Sequence, residues 1–205
     1  MASMIIWVLG IGLSVAILVV TAAMQQFYVH TAIAAVVGIL FAIASHTEAR
    51  AAAALPAGNE GAIGASLRHM GFVWAWGALG LLATYAPGVL TWREWLSFFA
   101  AFAVLGVLTL VLSAALRKDA ASGITDPMLI KVARGFSIFI LVAMVITMVG
   151  LLIDGKMWRF FTVPGQKPGS QDWGANNFFF FGALALALIS ANVVKLTGAQ
   201  LAKAA

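Results

Sequence analysis

The 205-residue chain is 63% hydrophobic and 9% charged, with a mean hydropathy of +1.03, which leaves too little polar surface to cover a water-soluble globule. Its net charge of +5 sets twelve Lys and Arg against seven Asp and Glu, and the basic residues are scattered among loop segments without the continuous stripe that nucleic acid requires. The absence of cysteine excludes disulfides, thiolate metal sites and cysteine nucleophiles.

A hydrocarbon core about 30 Å thick takes about 20 apolar helical residues per crossing. The chain supplies six such stretches and leaves no length for a separate soluble domain. The expected architecture is a single all-α, polytopic membrane domain over residues 1–205, with six transmembrane helices arranged as three hairpins.

In chain order the spans are predicted at residues 4–24, 27–45, 70–86, 95–116, 136–153 and 178–195. Small residues near Ala22 and Ala23 suit a signal peptidase, but the segment lacks a basic leader region and its apolar run is too long. It is therefore read as a membrane helix. The Ala-rich run after Ser45 is expected to prolong the second helix into water until Pro56 and Gly58 stop it. Thr91 and Glu94 have capping-box spacing at the start of the fourth helix. Asp126-Pro127 reads as an N-cap followed by proline at the first helical position, so the fifth helix should begin before the membrane. Asn176 and Asn177 are candidate caps for the sixth.

With six spans, the side holding both termini carries eight basic residues, Arg50, Arg68, Arg117, Lys118, Lys131, Arg134, Lys195 and Lys203, against four, Arg93, Lys156, Arg159 and Lys167, on the other. The positive-inside rule then puts both termini in the cytoplasm. Ala- and Gly-rich usage makes a bacterial cytoplasmic (inner) membrane the expected location.

Small residues recur every four positions at Ala34, Gly38 and Ala42 in the second span and at Ala183, Ala187 and Ala191 in the sixth. Such stripes let helix backbones approach closely, within a chain or between subunits, so these faces are expected to be turned away from lipid. The outward half is aromatic, with Trp158, Trp173 and the run Phe178, Phe179, Phe180 and Phe181. An interfacial belt accounts for much of this, but four successive phenylalanines point all round a helix. At least one must face protein, pigment, quinone or lipid, which makes the run the best candidate contact surface. The connection from Asp154 to Asn177, with Pro164 and Pro168, is the longest outward loop and a candidate docking element.

His46, ending the second span, and His69, before the third, are candidate haem ligands near the inner surface; a hydrogen-bonded interfacial role is the plainer reading. The mid-span polar groups are read as hydroxyls, Ser14, Thr109, Ser137 and Thr147. This argues against a proton relay and leaves open passive passage of a small neutral solute. HExxH, GxSxG and phosphate-loop motifs are absent.

The sequence thus points to a non-catalytic membrane subunit acting by helix packing, in contact with lipid and with a homo- or hetero-oligomeric partner. The alternatives are a passive channel for a small neutral solute and, less favoured, a haem-, quinone- or pigment-binding protein.

Overall fold

The computed structural model describes residues 43, 47, 59–84, 92–153 and 171–203. Within these lie four helices: α1 (Asn59–Thr84), α2 (Trp92–Ser122), α3 (Pro127–Ile153) and α4 (Gln171–Lys203). Three of them contain segments long and apolar enough to cross a membrane, Leu96–Ser122, Pro127–Ile153 and Phe180–Lys203. The first two predicted spans, apart from Ile43, lie outside the described residues.

The turn between α2 and α3 follows from its sequence. Gly123 has a φ of 68°, a left-handed conformation that glycine adopts without a Cβ clash. Its N–H donates to the Ala120 carbonyl at 3.3 Å, and that of Ile124 to the Asp119 carbonyl at 3.0 Å. This pair of bonds is a Schellman ending, which satisfies carbonyls that the last turn of α2 leaves open. Three residues later Asp126 caps α3 as the sequence predicts. Its Oδ1 accepts from the N–H groups of Met128 at 2.8 Å and Leu129 at 3.3 Å, and Pro127 occupies the first helical position.

α1 packs antiparallel along α2 and along α4, and α4 packs antiparallel along α3, whereas α2 and α3 scarcely touch. The core lies on the inner faces of this splayed arrangement. On α1 the spacing Ile63, Leu67, Met70, Trp74 makes one buried stripe, met by Leu116 of α2 and by Leu186, Ile189 and Val193 of α4. Ile130, Ala133 and Ile140 of α3 complete it.

Glycines bring α1 and α2 together. A Cβ at Gly71 would lie 2.6 Å from Leu110 Cδ2, and one at Gly106 would lie 3.2 Å from Trp74 Cβ. The antiparallel register carries Arg117, Lys118, Lys131, Arg134 and Lys203 to one end of the bundle and leaves Arg93 at the other.

Two boundaries differ from expectation. α1 begins at Asn59, well before residue 70, because Ala62, Ile63, Ser66, Leu67 and His69 are all buried there; packing extends the helix past its most apolar part. α4 begins at Gln171, so Asn176 and Asn177 lie inside the helix rather than before it. Thr91 of the expected capping box lies outside the described residues, and Glu94 belongs to the first turn of α2.

Candidate functional site

Two layers of the bundle hold features beyond plain packing. The first is polar and lies between α1 and α4. Asn192 Nδ2 donates to Ser66 Oγ at 3.1 Å, and in the register this bond sets, His69 comes level with Ile189 and Ser190. His69, Ser66 and Ser190 are all fully buried. On the α2 side, Ser113 Oγ donates to the Gly64 carbonyl at 2.6 Å. Ser137 of α3 is also fully buried, and the hydroxyls of Ser137 and Ser190 have no hydrogen-bond partner among the described residues.

This layer changes the reading of His69. It sits almost three helical turns after the start of α1, enclosed by protein rather than at a surface. Glu60, one turn before Gly64, is buried as well. Polar groups inside the bundle therefore include an imidazole, a carboxyl and the Asn192 amide as well as hydroxyls. Among the described residues no three metal-ligating side chains come together.

The second layer is apolar and lies toward the opposite end. Where α2 and α3 diverge, a cavity of about 240 Å³ opens with residues of all four helices in its wall. Trp74 and Gly77 of α1 and Gly182, Ala183 and Leu186 of α4 line it from the central pair. Phe98 and Phe102 of α2 and Met144 and Thr147 of α3 line it from the outer pair. Two glycines and an alanine supply too little side-chain volume to fill the space between diverging helices, which is why it stays open. Trp74 and Phe102 pack with ring centroids 5.3 Å apart at 48°. Trp74 is 1% exposed, and its indole N–H has no acceptor among the described residues.

Among the described residues, two of the mid-span hydroxyls bond to their own helix backbone. Thr109 donates to the Leu105 carbonyl at 2.6 Å and Thr147 to the Ala143 carbonyl at 2.9 Å, each within its own helix. Ser14 lies outside the described residues.

Of the other expected site residues, Phe180 and Phe181 are half-buried and stack edge to face, 5.6 Å between centroids. Trp173, Phe178 and Phe179 belong to α4, but their side chains lie outside the described set, as do His46, Trp158, Ala34, Gly38 and Ala42. Ala183 and Ala187 are buried, whereas Ala191 is exposed. A step of four residues overshoots the 3.6-residue turn, so a strict four-residue stripe drifts off a straight packing face. The buried line runs instead through Ala183, Ala187, Ser190, Val193 and Thr197.

The sequence reading missed Trp74, Phe102, Ser66 and Asn192. The signal for Asn192 was its carboxamide within a span, and for Trp74 its place on the α1 stripe with Gly71 and Gly77 beside it.

This arrangement defines a helical bundle compatible with a membrane protein. No family model, no curated protein and no solved structure matches the chain.

Proposed function

We propose that the chain is a non-catalytic integral membrane subunit that works by helix packing within an oligomer or a larger membrane complex. The observation that carries this reading is the splay of α2 from α3. Val104, Val107, Leu108 and Val111 on α2, and Phe139, Val142, Ile146 and Val149 on α3, are all exposed. Gly135 and Gly150 on α3 have open space where a Cβ would stand, so a neighbouring backbone has room to approach closely there. Lipid or protein can cover such surfaces, and the glycine gaps favour protein. In this reading the basic end faces the cytoplasm of a bacterial cell and the chain makes six crossings, with both termini inside.

Passage of a neutral solute fits less well, because Thr109 and Thr147 bond to their own helices and the cavity wall is almost wholly apolar. Mass measurement in native-lipid nanodiscs tests the main reading. A protein mass well above 21.5 kDa, from copies or a co-purifying partner, is expected; a strict monomer overturns it.

A further inference from the structure

We infer that the groove between α3 and α4, at the basic end of the bundle, binds an anionic phospholipid, with the phosphodiester at Arg134 and the acyl chains along the apolar rim beyond it. Arg134 Cζ, Nη1 and Nη2 lie 3.9, 3.9 and 4.0 Å from the position of a Cβ on Gly198. Three nearly equal distances mean that the guanidinium lies broadside on α4 in van der Waals contact, over a notch where glycine has no side chain. Its N–H donors lie in its own plane, so they point along the groove and not into the helix. Among the described residues none accepts a hydrogen bond from Arg134 or pairs with its charge. A planar fork held in one orientation with its donors unspent suits two oxygens of a phosphate.

Two lysines flank the guanidinium. Lys131 stands three residues before Arg134 on α3 and Lys195 three before Gly198 on α4, each on the same helix face as that neighbour, and both are exposed. The carboxylates described at this end lie elsewhere: Asp126 caps α3 two turns earlier, Asp119 belongs to α2 and Glu60 to α1. A zwitterionic head would bring a cation of its own against these basic groups, which a net-negative head does not.

Depth and continuity select a lipid as the source of the phosphate. The fifth predicted span begins at residue 136 and the sixth ends at residue 195, so Arg134 and Lys195 stand at the bilayer boundary, where phosphates lie. Beyond them the rim is apolar and open. Ile138 and Val145, one and three turns farther along α3, are 42% and 43% exposed, and Ala191, two turns from Gly198 on the same face of α4, is exposed as well. A soluble anion would use the cationic end and leave this strip bare; a phospholipid covers both. The inference rests on the chain lying in a membrane and does not depend on a protein partner.

The test is native mass spectrometry of the full chain, titrated in detergent with dioleoylphosphatidylglycerol or dioleoylphosphatidylcholine, which share their chains and differ in headgroup charge. Lipid adducts are counted per copy of the chain, so the result is independent of how many copies assemble. Saturable binding of phosphatidylglycerol in preference to phosphatidylcholine is expected. Arg134→Gln should weaken phosphatidylglycerol binding by about tenfold, the worth of one charge-assisted hydrogen bond, whereas Arg93→Gln at the opposite end should leave it unchanged. Gly198→Leu alters no charge but fills the notch beneath the guanidinium, and should weaken binding at an unchanged thermal unfolding midpoint. Inorganic phosphate should displace no more lipid than sodium chloride of equal ionic strength. Three results overturn the assignment: equal binding of the two lipids, phosphatidylglycerol affinity unchanged in Arg134→Gln, or specific displacement of the lipid by inorganic phosphate.

Discussion

The hydroxyl of Ser113 in α2 donates to the backbone carbonyl of Gly64 in α1, 2.6 Å away. The bond forms because Gly64 has no side chain. A Cβ there would meet Arg117 Cγ at 2.6 Å, the Ser113 carbonyl at 3.2 Å and the Arg117 nitrogen at 3.3 Å. Two of those three atoms are backbone and cannot step aside. Gly64→Ala should therefore cost about 1–3 kcal/mol through forced separation of the helices, and Ser113→Ala about 0.5–1.5 kcal/mol through the lost bond. Reversible unfolding of both variants in mixed micelles checks the order; a Ser113→Ala cost larger than that of Gly64→Ala refutes it.

Gly71 faces Leu110 closely too, with Cδ2 and Cγ 2.6 and 2.7 Å from the position of a Cβ. Gly71→Ala is expected to destabilise by about 1–3 kcal/mol. Shortening the neighbour in Gly71→Ala/Leu110→Ala should recover part of that loss, a coupling of about 1 kcal/mol. A double-mutant cycle measures it, and strict additivity contradicts the contact.

Asn192 and Ser66 offer a second cycle. Hydrogen bonds between membrane helices average about 0.6 kcal/mol because the separated helices find other partners. Combining Asn192→Ala with Ser66→Ala should give a coupling near that figure. A value near zero means that the bond contributes nothing to holding α1 on α4.

The α2–α3 turn gives a local readout. Asp126→Ala removes the acceptor for the Met128 and Leu129 N–H groups and is expected to cost about 0.5–2 kcal/mol. Faster amide exchange should be confined to the first turn of α3. Asp126→Asn, which retains a side-chain carbonyl, should stay close to wild type, and equal effects from the two variants speak against a capping role.

Ala187 and Ala191 separate the packed face of α4 from the open one. Ala187 is 6% exposed, so Ala187→Phe must push α4 off its neighbours, with expected overpacking of about 1–3 kcal/mol. Ala191→Phe points outward and should change stability by no more than about 0.5 kcal/mol. Unfolding midpoints in one detergent decide this, and a larger effect at Ala191 reverses the assigned rotation of the helix.

The apolar runs and the turn chemistry are legible in the sequence alone. Asp126-Pro127 marks the start of α3 because cap and proline act locally, and hydropathy marks α2 and α3 because lipid acts on every residue alike. What depends on one helix meeting another was not legible. The segment from Asn59 to His69 is only moderately apolar and reads as loop until α2 and α4 enclose it. His69, placed by hydropathy near a surface, is buried at the level of α1 that the Ser66–Asn192 bond joins to α4. The cavity was equally out of reach, since it arises from two helices parting over small residues far apart in sequence.

The weak contact between α2 and α3 gives the stretch Gly123 to Asp126 an unusual status. Each flanking helix is anchored by a different neighbour, α2 by α1 and α3 by α4, so the stretch serves as a tether and transmits little geometry. Severing it costs one connection and no interface. Two separately expressed halves, parted between Gly123 and Asp126, should find each other through the α1–α4 seam and rebuild the same bundle.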